Sequence, residues 1–208
     1  MKRSSRSLTL QLTLVLAATA VASPNDERSY RELIELSGAV QEEIVELAER
    51  AVKLAASRPE TPLDHAQKVA AIRQLGLLKV EKATGVLAKE LDYAPPMIGT
   101  SIGRNPVAQL FPAAEALRLI GIDAVEVILN ELKLEQSSRR IRLYAYVLRE
   151  IYRDRDLAVL KVDKQLQAAD AKLDALHRHN LECVRKALKS ESLGSWEDML
   201  NTIPPDCD

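Results

Sequence analysis

The same helical pattern is written twice near the middle of the chain. Ala83, Val86, Leu87 and Leu91 make an apolar stripe at i, i+3, i+4 and i+8. Ala124, Val127, Ile128 and Leu132 make the same stripe 41 residues later. Each stripe follows a segment rich in small residues, 69–78 and 112–120. One such pair of short helices cannot bury its apolar face alone, so recurring pairs stack on one another as an α-solenoid. Stacks of this kind present surface rather than an enclosed catalytic pocket. The expectation is therefore an all-α chain that binds another macromolecule.

Composition agrees with helix packing. One Phe, one Trp and seven Gly leave Leu, Ala, Val and Ile as the apolar stock, which suits helices better than sheets. Residues 1–22 read as a secretory signal peptide. Lys2, Arg3 and Arg6 form its positive end, Leu8 to Val21 its apolar stretch, and Ala20-Val21-Ala22 before Ser23 a small-x-small cleavage site. That apolar stretch is about 14 residues, short of the ~20 a spanning helix needs. With no Cys beside the cleavage site, no lipid anchor is expected. The reading is a periplasmic or secreted protein with no membrane span after cleavage. Losing three cations takes the formal net charge from −1 to −4. A mildly acidic exported chain is a poor match for nucleic acid.

Along the mature chain, 26–57 has no internal Pro and places Tyr30, Leu33, Val40, Ile44, Leu47, Ala51 and Leu54 in three–four alternation, a heptad rhythm. Thr61-Pro62-Leu63-Asp64 then reads as a helix start: a capping hydroxyl, a Pro at the first helical position and an acid in the first turn. Helices are expected over 62–79, 82–91 and 124–135, the last capped by Asp123 after a turn at Gly121. Another should run from Ser137 or Ser138 to about Arg153. Residues 92–105, with Pro95, Pro96, Gly99 and Gly103, are the long irregular stretch. Either Pro106 or Pro112 restarts helix. From Asp156 to Ser190 there is neither Gly nor Pro, and one long heptad helix is expected, with Asn180 as a polar seam residue. The organisation expected is 1–22 signal peptide, 23–60 long helix, 61–154 helical repeats, and 155–208 long helix plus tail, with 23–208 as one domain.

Residues 111–132, FPAAEALRLIGIDAVEVILNEL, resemble HEAT-like repeats of the short type found in phycobilisome-lyase-related proteins. The matching features are Ala113-Ala114-x-Ala116-Leu117, Ile120-Gly121 at the turn, and Ala124-Val125 with Leu129 and Leu132 behind it. Residues 69–91 match more loosely, with Gly76 inside the first helix. A third unit at 141–166 is degenerate: Ala158 and Val162 match Ala124 and Ile128, but the turn at Arg153-Asp154-Arg155 lacks the Gly. The resemblance covers about half the mature chain and implies a short α-solenoid with long flanking helices. It implies no lyase activity, because such repeats scaffold unrelated functions.

Cys183 and Cys207 are the only cysteines. In an exported chain an even pair most simply forms a disulfide. This one would close a loop of about 25 residues, a restraint of about 3 kcal/mol on a chain-entropy model. An intermolecular bond through Cys183, or two reduced thiols, are the other readings. His179 and Cys183 share a helix face, but His177 points about 200° away and a structural zinc needs four ligands. No metal site and no cofactor are expected. The stretch Ile98 to Asn105 resembles a phosphate loop only in its glycines; no Lys-Ser/Thr follows and no strand precedes it.

Arg139, Arg142, Arg149 and Arg153 fall close to one helix face, with Tyr146 between them. Residues 136–190 carry 13 Lys/Arg against 7 Asp/Glu, and 191–208 carries five acids and no base. This is the candidate partner-binding strip, suited to an acidic protein or anionic glycan; the plain alternative is a solvated face neutralised by Glu150, Asp154 and the tail. No catalytic constellation is visible, and His65 has no paired feature in the sequence. The leading reading is thus a non-catalytic protein–protein interaction module. A homodimer or larger homo-oligomer through 26–57 and 156–189 is the second, and a small helical enzyme or ligand carrier around 92–105 the third.

Overall fold

The computed structural model describes residues 27–96, 106–168 and 175–190. Every regular element among them is a helix. The expected signal peptide, 1–22, with its expected cleavage positions Ala20, Ala22 and Ser23, lies outside the described residues, as do 97–105 and the tail with Cys207. Among the described residues no helix is long and apolar enough to cross a membrane.

The first helix, α1, spans Glu27–Ala55. The chain divides between Leu47 and Ala48 into two compact units, a boundary that falls inside α1. Nothing in the sequence marks this boundary, because the helix runs through it. In the first unit Ile44 and Val45 are exposed. In the second, Ala51 and Ala55 of the last turns of α1 are buried in the core.

In that second unit α2, Pro62–Leu77, starts as its sequence dictates. The Asp64 amide donates to Thr61 Oγ1 at 3.2 Å, and the Thr61 amide donates to Asp64 Oδ2 at 2.9 Å. This reciprocal pair satisfies two helix-end donors. The expected second helix, 82–91, is a 3-10 turn at Glu81–Ala83 followed by α3, Thr84–Lys89. Both prolines restart helix: α4 is Pro106–Leu110 and α5 is Pro112–Ile120. A 3-10 turn at Gly121–Ala124 leads into α6, Val125–Glu131. That turn contains Asp123, so the α-helix takes Ala124 as its N-cap instead. Helix α7 is Ser138–Tyr152, with Ser137 Oγ accepting from the Arg140 amide at 3.3 Å.

The twofold pattern recurs as burial. Ala83, Thr84, Leu87, Ala88 and Leu91 are buried, and so are Ala124, Val125, Ile128, Leu129 and Leu132. Helix α2 packs on α5, and α3 on α6, so like packs on like in successive pairs. At the first contact a Cβ on Gly76 would sit 2.6 Å from Ala116 Cα. The glycine that looked like a lapse in the pattern is what lets the two helices approach.

A third pair follows. Helix α8, Arg155–Ala168, packs on α7, and α7 on α5. Ala158, Val159, Val162 and Leu166 are buried, each 34 residues after a buried residue of α6 or its caps, Ala124, Val125, Ile128 and Leu132. Lys161 of α8 pairs with Glu126 of α6. The backbone keeps the count as well. Among the described residues φ is positive at Lys79 (51°), Gly121 (82°) and Arg153 (55°), each at the end of the first helix of a pair. At Lys79 the amide donates to Gly76 O and the Val80 amide to Leu75 O, at 3.1 and 3.0 Å, a Schellman ending without its usual glycine.

The long C-terminal helix does not form. Among the described residues of 155–189 there are two helices, α8 and α9, the latter Ala175–Lys189, packed side by side. Arg185 Nη1 lies 3.4 Å from Asp163 Oδ1; on one continuous helix these residues would be about 33 Å apart. Asn180 is buried, and its Nδ2 donates to Leu132 O at 2.8 Å and Glu135 O at 2.7 Å. It caps the C-terminal end of α6 within its own chain instead of lining a dimer seam.

Candidate functional site

Helix α7 lies against α5, α8 and α9, which decides what becomes of the arginine strip. Six consecutive residues, Leu143 to Leu148, are buried. Tyr146 is among them, so it belongs to the core and is no surface aromatic. Burial, with Glu150 and Glu115 nearby, pushes its phenol up to about 12, against the opposing pull of Arg118 and Arg149. The arginines stay at the surface around it. Arg139 is exposed, with Cζ 4.9 Å over the Phe111 ring. Arg142 is half-buried and its Nε donates to Ser138 O at 3.4 Å. Arg149 reaches Glu150 Oε1 at 3.6 Å. Arg153 is exposed at the helix end. On the adjoining α5, Arg118 makes a two-point contact with Glu115, at 2.7 and 2.6 Å. Arg139, Arg142 and Arg149 therefore share one helix face, within an arc of about 80°, while Arg153 follows it at the left-handed C-cap, and acids are interleaved with them.

Arg140, one residue out of phase with the strip, does something else. Its Nε donates to Glu135 Oε2 at 2.6 Å, Nη1 to Lys89 O at 2.8 Å and Asp92 Oδ1 at 3.0 Å, and Nη2 to Ala88 O at 2.9 Å. Tyr144 Oη donates to the same Ala88 carbonyl at 3.2 Å. Partial burial alone would lower the Arg140 pKa, but the Glu135 hydrogen bond with Tyr144, Glu135 and Asp92 nearby raise it well above its ordinary value. One guanidinium thus holds the end of α3, the start of the 92–96 stretch and the approach to α7. Sequence reasoning missed it, because its partners lie up to 52 residues away; the i, i+4 Arg140–Tyr144 spacing was its only local signal.

A second polar cluster lies where the loop after α1, helix α2 and the residues after α3 meet. Lys68 is buried. Its Nζ donates to Ser57 O at 2.8 Å, pairs with Glu90 at 2.7 Å and sits 4.6 Å above the Tyr93 ring. His65 Nδ1 is 2.8 Å from Tyr93 Oη, with the rings stacked. So His65, which had no visible partner in sequence, has one. Burial, then Glu90, raises the Tyr93 phenol. These groups satisfy one another, which is what a joint between elements needs.

On α9, Cys183 is buried with Sγ 3.5 Å from His179 Nε2, and His177 is buried on another side of the helix. Among the described residues no group of three or more His, Cys, Asp or Glu is placed to hold a metal. Comparisons with protein-family models, with curated proteins and with solved structures gave no match for this chain.

Proposed function

We propose that this chain is an exported, non-catalytic interaction module of HEAT-like α-solenoid type, and that an acidic protein meets it at the arginine face of α7. The observation that carries the reading is the position of that face. Arg139, Arg142 and Arg149, with Arg153 at the helix end, rim the side of α7 from which Tyr146 enters the core, and contacts with α5, α8 and α9 hold the helix in place. A surface held this rigidly loses little conformational freedom on binding. The leader at 1–22 supports a periplasmic or secreted setting, where a Cys183–Cys207 bridge would pin the tail to α9. Crosslinking the tagged protein in its native envelope, followed by mass spectrometry, tests the face. Arg142→Glu with Arg149→Glu should abolish capture of an acidic partner; a partner captured equally by the variant would remove the strip from the reading.

A second reading, self-association through α1, is supported by the exposure of Ile44 and Val45. A monomeric mass at micromolar concentration would dispose of it.

A further inference from the structure

We infer that the acidic segment 191–208 docks in cis on the arginine face of α7 and there competes with the acidic partner. The competition rests on the proposed function; the docking stands without it. Three observations lead to it. The segment carries Glu191, Glu197, Asp198, Asp206 and Asp208 and no Lys or Arg, whereas 136–190 carries an excess of six cations. Its attachment point is near: α9 ends at Lys189 and packs on both α7 and α8. Its reach suffices: held at Lys189 and again by a Cys183–Cys207 bridge, the intervening loop of 17 residues still extends to about 28 Å, and the strip from 139 to 153 rises only about 21 Å. A tether of this length holds the acids at an effective concentration in the millimolar range. Weak single ion pairs then sum to a populated docked state at low ionic strength. Arg139 already lies over the ring of the buried Phe111, and the segment contains an aromatic of its own, Trp196.

Because Trp196 is the only Trp in the chain, its fluorescence reports on the segment directly. The test is acrylamide quenching of the full-length protein at low and at high salt, with Arg142→Gln/Arg149→Gln and Arg139→Gln/Arg153→Gln alongside. Circular dichroism checks that both variants fold. Docking predicts that quenching rises about twofold in high salt or in either variant. Equal quenching in all of them at low salt overturns it, and places Trp196 elsewhere. The competition is read by fluorescence anisotropy of a short poly-glutamate peptide. Glu197→Gln/Asp198→Asn should tighten its binding about threefold or more, as expected when a tethered competitor is weakened; unchanged affinity overturns the competition. A peptide that binds none of these proteins counts against the acidic-partner reading and the competition together, while the Trp196 signal still decides the docking.

Discussion

Two glycines in neighbouring helices should respond to the same substitution with opposite sign. Gly76 meets the backbone of α5, with Ala116 Cα 2.6 Å and Ala116 Cβ 2.9 Å from where its own Cβ would stand. Gly76→Ala must push two packed helices apart and should cost about 1–3 kcal/mol. Gly85 in α3 has nothing within 4 Å of that position. Gly85→Ala should stabilise by roughly 0.5–1 kcal/mol, since alanine loses less conformational entropy in a helix. Denaturant melts of the two variants decide it; equal shifts would show that helix propensity, and not the contact with Ala116, governs position 76.

Between elements, the joints are made by side chains that each serve several carbonyls. Arg140 serves two at the end of α3 and two acids besides. Arg140→Lys keeps the charge but replaces a fork with a point; it should lower stability by roughly 1–3 kcal/mol, since partly buried acceptors at Glu135 and Asp92 lose a donor. A denaturation midpoint within error of wild type would mean that one ammonium is enough. How far the sequence could be read depends on the range of the interaction. The caps at Thr61 and Ser137, the proline restarts and the buried stripes were legible because their determinants lie within a few turns. The α8–α9 break was not. Each helix buries its own stripe, and the two stripes continue one another in phase, so the spacing alone looks like a single helix. Asn180 was visible as an anomaly, but its partners Leu132 and Glu135 lie more than 40 residues back. At the strip the arginines could be read as one face. Tyr146 could not be read as core, because nothing local says that α7 is packed on several sides.

For the molecule as a whole, those buried phenols set an alkaline limit. Tyr144 and Tyr146 both sit in α7, and both have pKa values raised first by burial. Tyr146 titrates near 12 in the fold, against about 10 in an unfolded chain. Between these values the folded protein keeps a proton that the unfolded chain has released. Stability is therefore whole below pH 10 and falls as pH rises toward 12. Since α7 joins α5, α8 and α9, the loss should appear as one cooperative transition and not as fraying of an end. In Tyr146→Phe the difference in unfolding free energy between pH 8 and pH 11 should shrink; an undiminished difference would point to other groups.

The turns carry a different kind of consequence. Each helix pair is punctuated by one residue of positive φ, yet only one of the three is glycine; the others are Lys79 and Arg153. A side chain in that region costs about 1–2 kcal/mol, which a stack of this size can absorb. The punctuation can therefore drift from glycine to ordinary residues while the backbone keeps its place. In an ancestry of duplicated pairs, the letters would fade well before the geometry did. Common descent within such an array would then be recorded in its dihedral angles after it had ceased to be recorded in its residues.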